Sequence, residues 1–161
     1  MLKRHLLIAI AIVALDRLTK WAIVKTIMLE DAVSIIPGFF RLTHLENTGA
    51  AFSLFAESTS PFKTALLVAF SLAALAVVGF LLWRSRSDYN ITTLSLSLIL
   101  GGAVGNLWDR LADGMVTDFL DFYVGMHHWP PFNIADSAIV VGALLLLSRM
   151  LRNETTTAKA H

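Results

Sequence analysis

The chain has no cysteine, and charged residues make up only 16% of its 161 positions. The first absence excludes disulfides, thiol catalysis and zinc–thiolate sites. The second sets the chain apart from ordinary soluble domains, in which about 25% of residues are charged. The formal net charge is +1, so a nucleic-acid partner is not expected. No internal repeat is evident, and the C-terminal "RNETTTAKAH" reads as a polar, frayed end.

What remains is apolar sequence, 56% of the chain, and it comes in blocks. Thr64 to Trp83 and Tyr89 to Trp108 each run without a formal charge. Each is long enough to cross a bilayer, which takes about 20 residues. The N-terminus imitates a signal peptide, with Lys3-Arg4-His5 ahead of apolar Leu6 to Leu15. It runs on into "DRLTKW" with no small-residue cleavage site, so a retained first membrane helix is expected. The expected fold is an all-α membrane core of four transmembrane helices, at about residues 6–24, 62–83, 91–108 and 133–151, within a single integral membrane domain spanning 1–161.

Basic residues orient these spans. Lys3 and Arg4 precede the first, Arg84 and Arg86 separate the second from the third, and Arg149, Arg152 and Lys159 follow the fourth. The positive-inside rule puts all three clusters, and hence both termini, in the cytoplasm. Segments 25–61 and 111–132 then face outward. In the first of these, "AVSIIPGFFRLTHLENTGAAFSLF" has short β-like runs broken by Pro37-Gly38 and Asn47-Thr48-Gly49. A small β-cradle over about 31–56, lying at the membrane surface, would offer backbone hydrogen bonds to an extended peptide. A packed lid without ligand contacts is the plainer alternative.

Ionisable groups at membrane depth cost about 2.5–3.5 kcal/mol each at a helix centre, so they are usually paired or functional. Asp16 and Lys20 stand four apart in the first span, a spacing that suits an intrahelical ion pair. At the end of the third span, "LGGAVGNLWDRLADG" combines the small-xxx-small pair Gly101 and Gly105 with Asn106, Asp109 and Arg110 on one helical face. Arg110 is expected to pair with Asp109 or another nearby carboxylate. This group could act as structural glue or brace a site.

The third polar group places Asp118, Asp121 and Asp136 in "GMVTDFLDFYVG" and "HHWPPFNIADSAI". Asp118 and Asp136 flank the loop between the last two spans, which could fold back and bring them together. Two carboxylates sharing a site repel, so one pKa rises and the pair holds a single proton. The ionised member can then draw a proton from water while the other donates to a carbonyl oxygen or leaving amine. That chemistry hydrolyses an amide without metal, serine or cysteine. A plainer reading exists for Asp136, because Asn133-x-x-Asp136 resembles a capping box at a helix start. His127-His128 lacks a nearby third histidine and makes a weak metal site, so no metal or other cofactor is expected. Trp129 reads as an interfacial anchor.

Taken together, "DRLTK", "NTGAAFS", "GNLWDR", "VTDFLDF" and "FNIADSAI" resemble the motifs of the bacterial lipoprotein signal peptidase family, signal peptidase II, in that family's order, from about Asp16 to Ala138. The resemblance implies an aspartic intramembrane endopeptidase of the bacterial inner membrane, a monomer with its site near the outer face. Its substrate would be a diacylglyceryl-modified prolipoprotein, cut on the amino side of the lipidated cysteine. By motif match, Asp118 and Asp136 would be the catalytic pair. Asn47, Asn106, Asp109, Arg110 and Asn133 would support them, with Asp16 and Lys20 as a further polar pair. Membrane lipids and globomycin-type inhibitors are the other partners the resemblance implies. A proton- or ion-coupled small transporter is the rival reading, with intramembrane Asp, Lys and Arg as a relay. Four spans are few for an inverted-repeat transporter, and the acidic groups gather at one side. A non-catalytic membrane scaffold is a third reading.

Overall fold

The computed structural model describes residues 2–49, 61–85 and 90–158. Its elements follow in the order α1 (Leu2–Thr26), β1 (Ala32–Ile36), β2 (Phe40–Asn47), α2 (Pro61–Arg84), α3 (Ile91–Ala112), β3 (Val116–Val124), β4 (His127–His128) and α4 (Ile134–Ala158). Among the described residues, three helical stretches are long and apolar enough to cross a membrane: Thr64–Arg84, Ile91–Ala112 and Ile134–Arg152. The helix α1 is of similar length but carries Asp16, Arg17 and Lys20 in its middle. It turns Asp16 and Lys20 inward, where both are buried, and leaves Leu7, Ile10, Leu18 and Trp21 on its outer surface.

Helix α3 is the axis of the bundle and packs against α1, α2 and α4. It starts on a reciprocal cap in which Asn90 Oδ1 accepts from Thr93 N and Thr93 Oγ1 accepts from Asn90 N, both at 3.1 Å. Glycines on two of its faces let it sit close to its neighbours. A Cβ on Gly101 would lie 2.8 Å from the Ala9 carbonyl oxygen of α1, and one on Gly105 would lie 2.8 Å from Asp16 Oδ2. Gly102 faces the other way, where a Cβ would run into the Ala135 carbonyl oxygen of α4. The small-xxx-small pair therefore serves α1, and the glycine between its members serves α4. By contrast, the apolar stretch of α2 is half-buried or exposed throughout except at Leu82, which suits a helix facing lipid.

The four strands form one antiparallel sheet in the order β1-β2-β3-β4. Pro37 and Gly38 make the β1–β2 turn, with Gly38 at φ +79° and Phe39 N–H donating to the Ile36 carbonyl at 3.0 Å. The β-like reading of 31–56 thus contains two strands, while residues 50–56 lie outside the described part, as do Arg86 and Lys159. The segment between α3 and α4 is not a simple loop. "VTDFLDFYV" is the strand β3, paired along β2 with Asp118 opposite Leu45 and Asp121 opposite Arg41. Its β-branched and aromatic residues explain why it extends. A small core of Ile23, Ile27 and Phe119, joined by Leu42, Leu120 and Ile134, seats the sheet on the end of α1 and the start of α4.

The tight α3–α4 contact generates a prediction. Gly102→Ala places a methyl against the Ala135 backbone as well as the Ile139 side chain, and should cost about 1–3 kcal/mol. A lowered thermal midpoint of the purified protein in detergent is the expected result, and an unchanged midpoint would contradict the close approach.

Candidate active site

Asp118 comes from the middle of β3 and Asp136 from the first turn of α4. Both line a cleft of about 530 Å³, together with Asn47, Asn106 and Arg110. The remaining wall is largely apolar, formed by Trp129–Phe132 and by Ile139, Val140 and Val141 of α4.

Three amides aim at the two carboxylates, and each is oriented by a donor on its own oxygen. Asn47 Oδ1 accepts from Gly49 N at 2.8 Å, so its Nδ2 donates to Asp118 Oδ2 at 2.8 Å. Asn133 Oδ1 accepts from Asp136 N at 2.9 Å, and its Nδ2 donates to Asp118 Oδ1 at 2.7 Å. Asn106 Oδ1 accepts from Lys20 Nζ at 3.2 Å, and its Nδ2 donates to Asp136 Oδ1 at 2.7 Å. A flipped amide would set oxygen against carboxylate oxygen and NH₂ against a donor, so these orientations follow from the network. Asn133 N–H also donates to Asp136 Oδ2 at 3.3 Å. The capping box is therefore formed, with Asp in the place of Glu, and its asparagine reaches both carboxylates.

Behind the amides lies a buried charge cluster. Lys20 Nζ donates to Asp16 Oδ2 at 2.8 Å and to Asp109 Oδ2 at 2.6 Å. Arg17 donates to the other oxygen of Asp109, and Asp16 Oδ1 accepts from Ala135 N at 3.0 Å at the start of α4. Of the two alternatives for Arg110, the pair with Asp109 does not form, because Arg17 and Lys20 already occupy that carboxylate, while the charges of Asp136 and Asp118 act on its guanidinium. Arg110 instead donates to the Asn106 carbonyl at 3.3 Å and lines the cleft. Arg17 is the member that sequence reasoning missed. Its signals were a third charge in an otherwise apolar span and a place inside "DRLTK".

Asp121 points away from the cleft, as its odd spacing from Asp118 along a strand requires. Its buried carboxylate accepts from Arg41 Nε at 2.6 Å and contacts His128 Nδ1 at 2.9 Å. His127 and His128 sit in β4. Trp129 is exposed and forms part of the cleft's rim.

Burial pushes the Asp118 carboxyl up to about 7, and the neighbouring Asp136 charge pushes in the same direction. The amides of Asn47 and Asn133 and the Lys20 charge pull it back only in part.

Comparison with known proteins agrees along nearly the whole chain. The family model for Signal peptidase (SPase) II matches residues 8–152. The lipoprotein signal peptidase of Solibacter usitatus is 46% identical over 151 residues, covering 94% of this chain and 92% of that protein. That of Desulforapulum autotrophicum is 43% identical over 154 residues, covering 95% and 94%. A bacterial membrane enzyme solved by the in meso method at 2.3 Å superposes with a TM-score of 0.84 at 29% identity, covering 96% of this chain and 91% of that one. A second, solved by the same method at 1.9 Å, gives 0.79 at 30% identity. The class is thus a membrane-embedded bacterial peptidase, which sets aside the transporter and scaffold readings. Within that class, the chain belongs to the signal peptidase II family.

The raised Asp118 carboxyl has a measurable consequence. An unfolded aspartate releases its proton near 3.8, whereas folded Asp118 keeps it to about 7. Between these values the folded state binds more protons, so its contribution to stability is fully present below about pH 4 and is lost as pH rises through about 7. Thermal midpoints measured at about pH 5 and about pH 8 should fall more for the parent than for Asp118→Asn. Equal slopes would show that Asp118 titrates normally.

Proposed function

We propose that the chain removes signal peptides from diacylglyceryl-modified prolipoproteins, cutting on the amino side of the lipidated cysteine with a water activated between Asp118 and Asp136. The observation that carries this reading is one asparagine, Asn133, bonded to two carboxylates from different elements in a single, otherwise largely apolar cleft. Asp118 enters the reaction protonated, as its raised carboxyl favours, and Asp136 enters it ionised. The N-terminal turn of α4 suits a negative charge there. Asp136 takes a proton as water attacks the scissile carbonyl, and Asp118 gives its proton to the carbonyl oxygen. When the tetrahedral species collapses, Asp118 recovers that proton and Asp136 passes its own to the leaving amine. The pair ends as it began, and no cofactor is needed. Because the two groups interact, their ionisations belong to the pair.

In this reading Asn47, Asn106 and Asn133 hold the carboxylates in register, and Asp16, Lys20 and Asp109 hold Asn106 and the start of α4. Arg110 offers a cation to the substrate's backbone carbonyls. The β1–β2 region cradles the peptide, while apolar α4 and lipid accommodate its acyl chains. The whole chain forms a single monomeric membrane peptidase domain, and globomycin-type cyclic peptides occupy the same cleft. The helix α1 spans the bilayer as a fourth membrane helix, since its two buried charges are neutralised inside the bundle. Both termini are then cytoplasmic and the cleft opens near the outer face.

Asp118→Asn and Asp136→Asn should each lower turnover of a lipidated prolipoprotein by at least about a hundredfold while the protein still inserts. Asp121→Asn should stay within about tenfold of the parent. Near-normal turnover in either of the first two variants would sink the dyad, and a loss at Asp121 as deep as at Asp118 would mean the wrong aspartate is named.

The cysteine-free chain also makes the topology testable. A cysteine at Ser34 should react with an impermeant maleimide on whole cells, and one at Arg152 only after permeabilisation. The reverse pattern would invert the proposed orientation.

A further inference from the structure

On the face of β3 opposite Asp118, four side chains form a clasp that the cleavage reaction does not use. Arg41 Nε donates to Asp121 Oδ2 at 2.6 Å, and His128 Nδ1 lies 2.9 Å from Asp121 Oδ1 and 3.1 Å from Oδ2. Tyr123 stacks on His128 with ring centroids 5.0 Å apart, and the Arg41 guanidinium lies over Tyr123 at 5.4 Å. Asp121 is only 1% exposed. A carboxylate so buried needs its partners, and the removal of one costs more than the bond itself returns.

The clasp stands where the chain turns into the cleft. His128 is the last residue of β4, and Trp129, Pro130, Pro131 and Phe132 follow directly as cleft wall. Two consecutive prolines narrow the backbone's freedom, so a displacement at His128 is carried along the segment without being absorbed. The far end of that segment is held separately, where the Phe132 carbonyl accepts from Phe119 N at 3.0 Å and Leu120 N at 2.8 Å. The near end is held by the Trp129 N–H, which donates to the Phe122 carbonyl at 2.8 Å, by the short β4 pairing and by the His128–Asp121 contact.

We infer that His128, acting through Asp121, is a positioning residue for the substrate-contacting wall Trp129–Pro131. It sets where the lipidated peptide is held, whereas the asparagine network sets the two carboxylates. This rests on the cleavage reaction proposed above. The division of labour separates KM from kcat: loosening the wall weakens substrate binding and leaves the reacting groups in place.

The test compares two polar variants. His128→Asn keeps an N–H close to the position of Nδ1, and His128→Gln moves the same amide one methylene too far. With a diacylglyceryl-modified prolipoprotein peptide, His128→Gln should raise KM about tenfold with kcat within about twofold of the parent, and His128→Asn should hold KM within about threefold. Equal KM values for the two variants, a fall in kcat at constant KM, or a KM change that merely follows a lowered thermal midpoint would each overturn the proposal. Binding of the same peptide to these variants in an Asp118→Asn background should show the same ratio. If the parent does not cleave at all, the proposed function fails, and this binding ratio still decides the role of His128.

Discussion

The ammonium of Lys20 is 3% exposed, and it is the interaction on which the rest of the arrangement depends. A cation buried among apolar helices needs full compensation, and removing one partner of such a pair typically costs about 3–5 kcal/mol. Lys20 is compensated by Asp16 from its own helix and by Asp109 and Asn106 from α3. That requirement brings α1 and α3 together at one height, and the glycines at 101 and 105 remove the side chains that would keep them apart. The second oxygen of Asp16 then takes the Ala135 N–H, which fixes where α4 begins. Three helices are thus locked around one charge.

From that lock the orientation of the site follows in steps. Lys20 claims the oxygen of Asn106, so the amide nitrogen must face Asp136. The first turn of α4 claims the oxygen of Asn133, so its nitrogen must face Asp118. A loop amide claims the oxygen of Asn47 with the same result from the sheet side. Each carboxylate is thereby surrounded by donors whose direction is not free to change. In a largely apolar setting such fixed dipoles act more strongly than they would in water. Asp118 is nevertheless raised, because burial and the charge of its partner outweigh the amides.

Much of this was legible in the chain itself. The long apolar runs declare membrane helices because hydrophobic length is a local property. The Asn133-x-x-Asp136 spacing declares a capped helix start for the same reason. Capping and a place in the cleft proved to be one arrangement, since the residue that caps α4 also reaches Asp118. Three features were hidden. "VTDFLDFYV" sits between two helices and reads as a connection, and only pairing with β2, which lies far back in the sequence, makes it a strand. Arg110 was expected on Asp109 or another nearby carboxylate, and the choice was hidden because Arg17 and Lys20 come from another helix and take Asp109 first. Gly102, between the two glycines of the small-xxx-small pair, has a role that shows only where α4 closes against it.

The sequence by itself determined the family and the apolar helices and singled out the polar residues that the cleft gathers, because motif identity, hydrophobic run length and helix-turn spacing are all written over short stretches of chain. Only the tertiary structure decided which charge neutralises which, which way each amide faces, and that Asp118 and Asp121 serve opposite faces of one strand. Those outcomes depend on competition among groups that are distant in sequence, and in a largely apolar interior the nearest well-aligned partner wins.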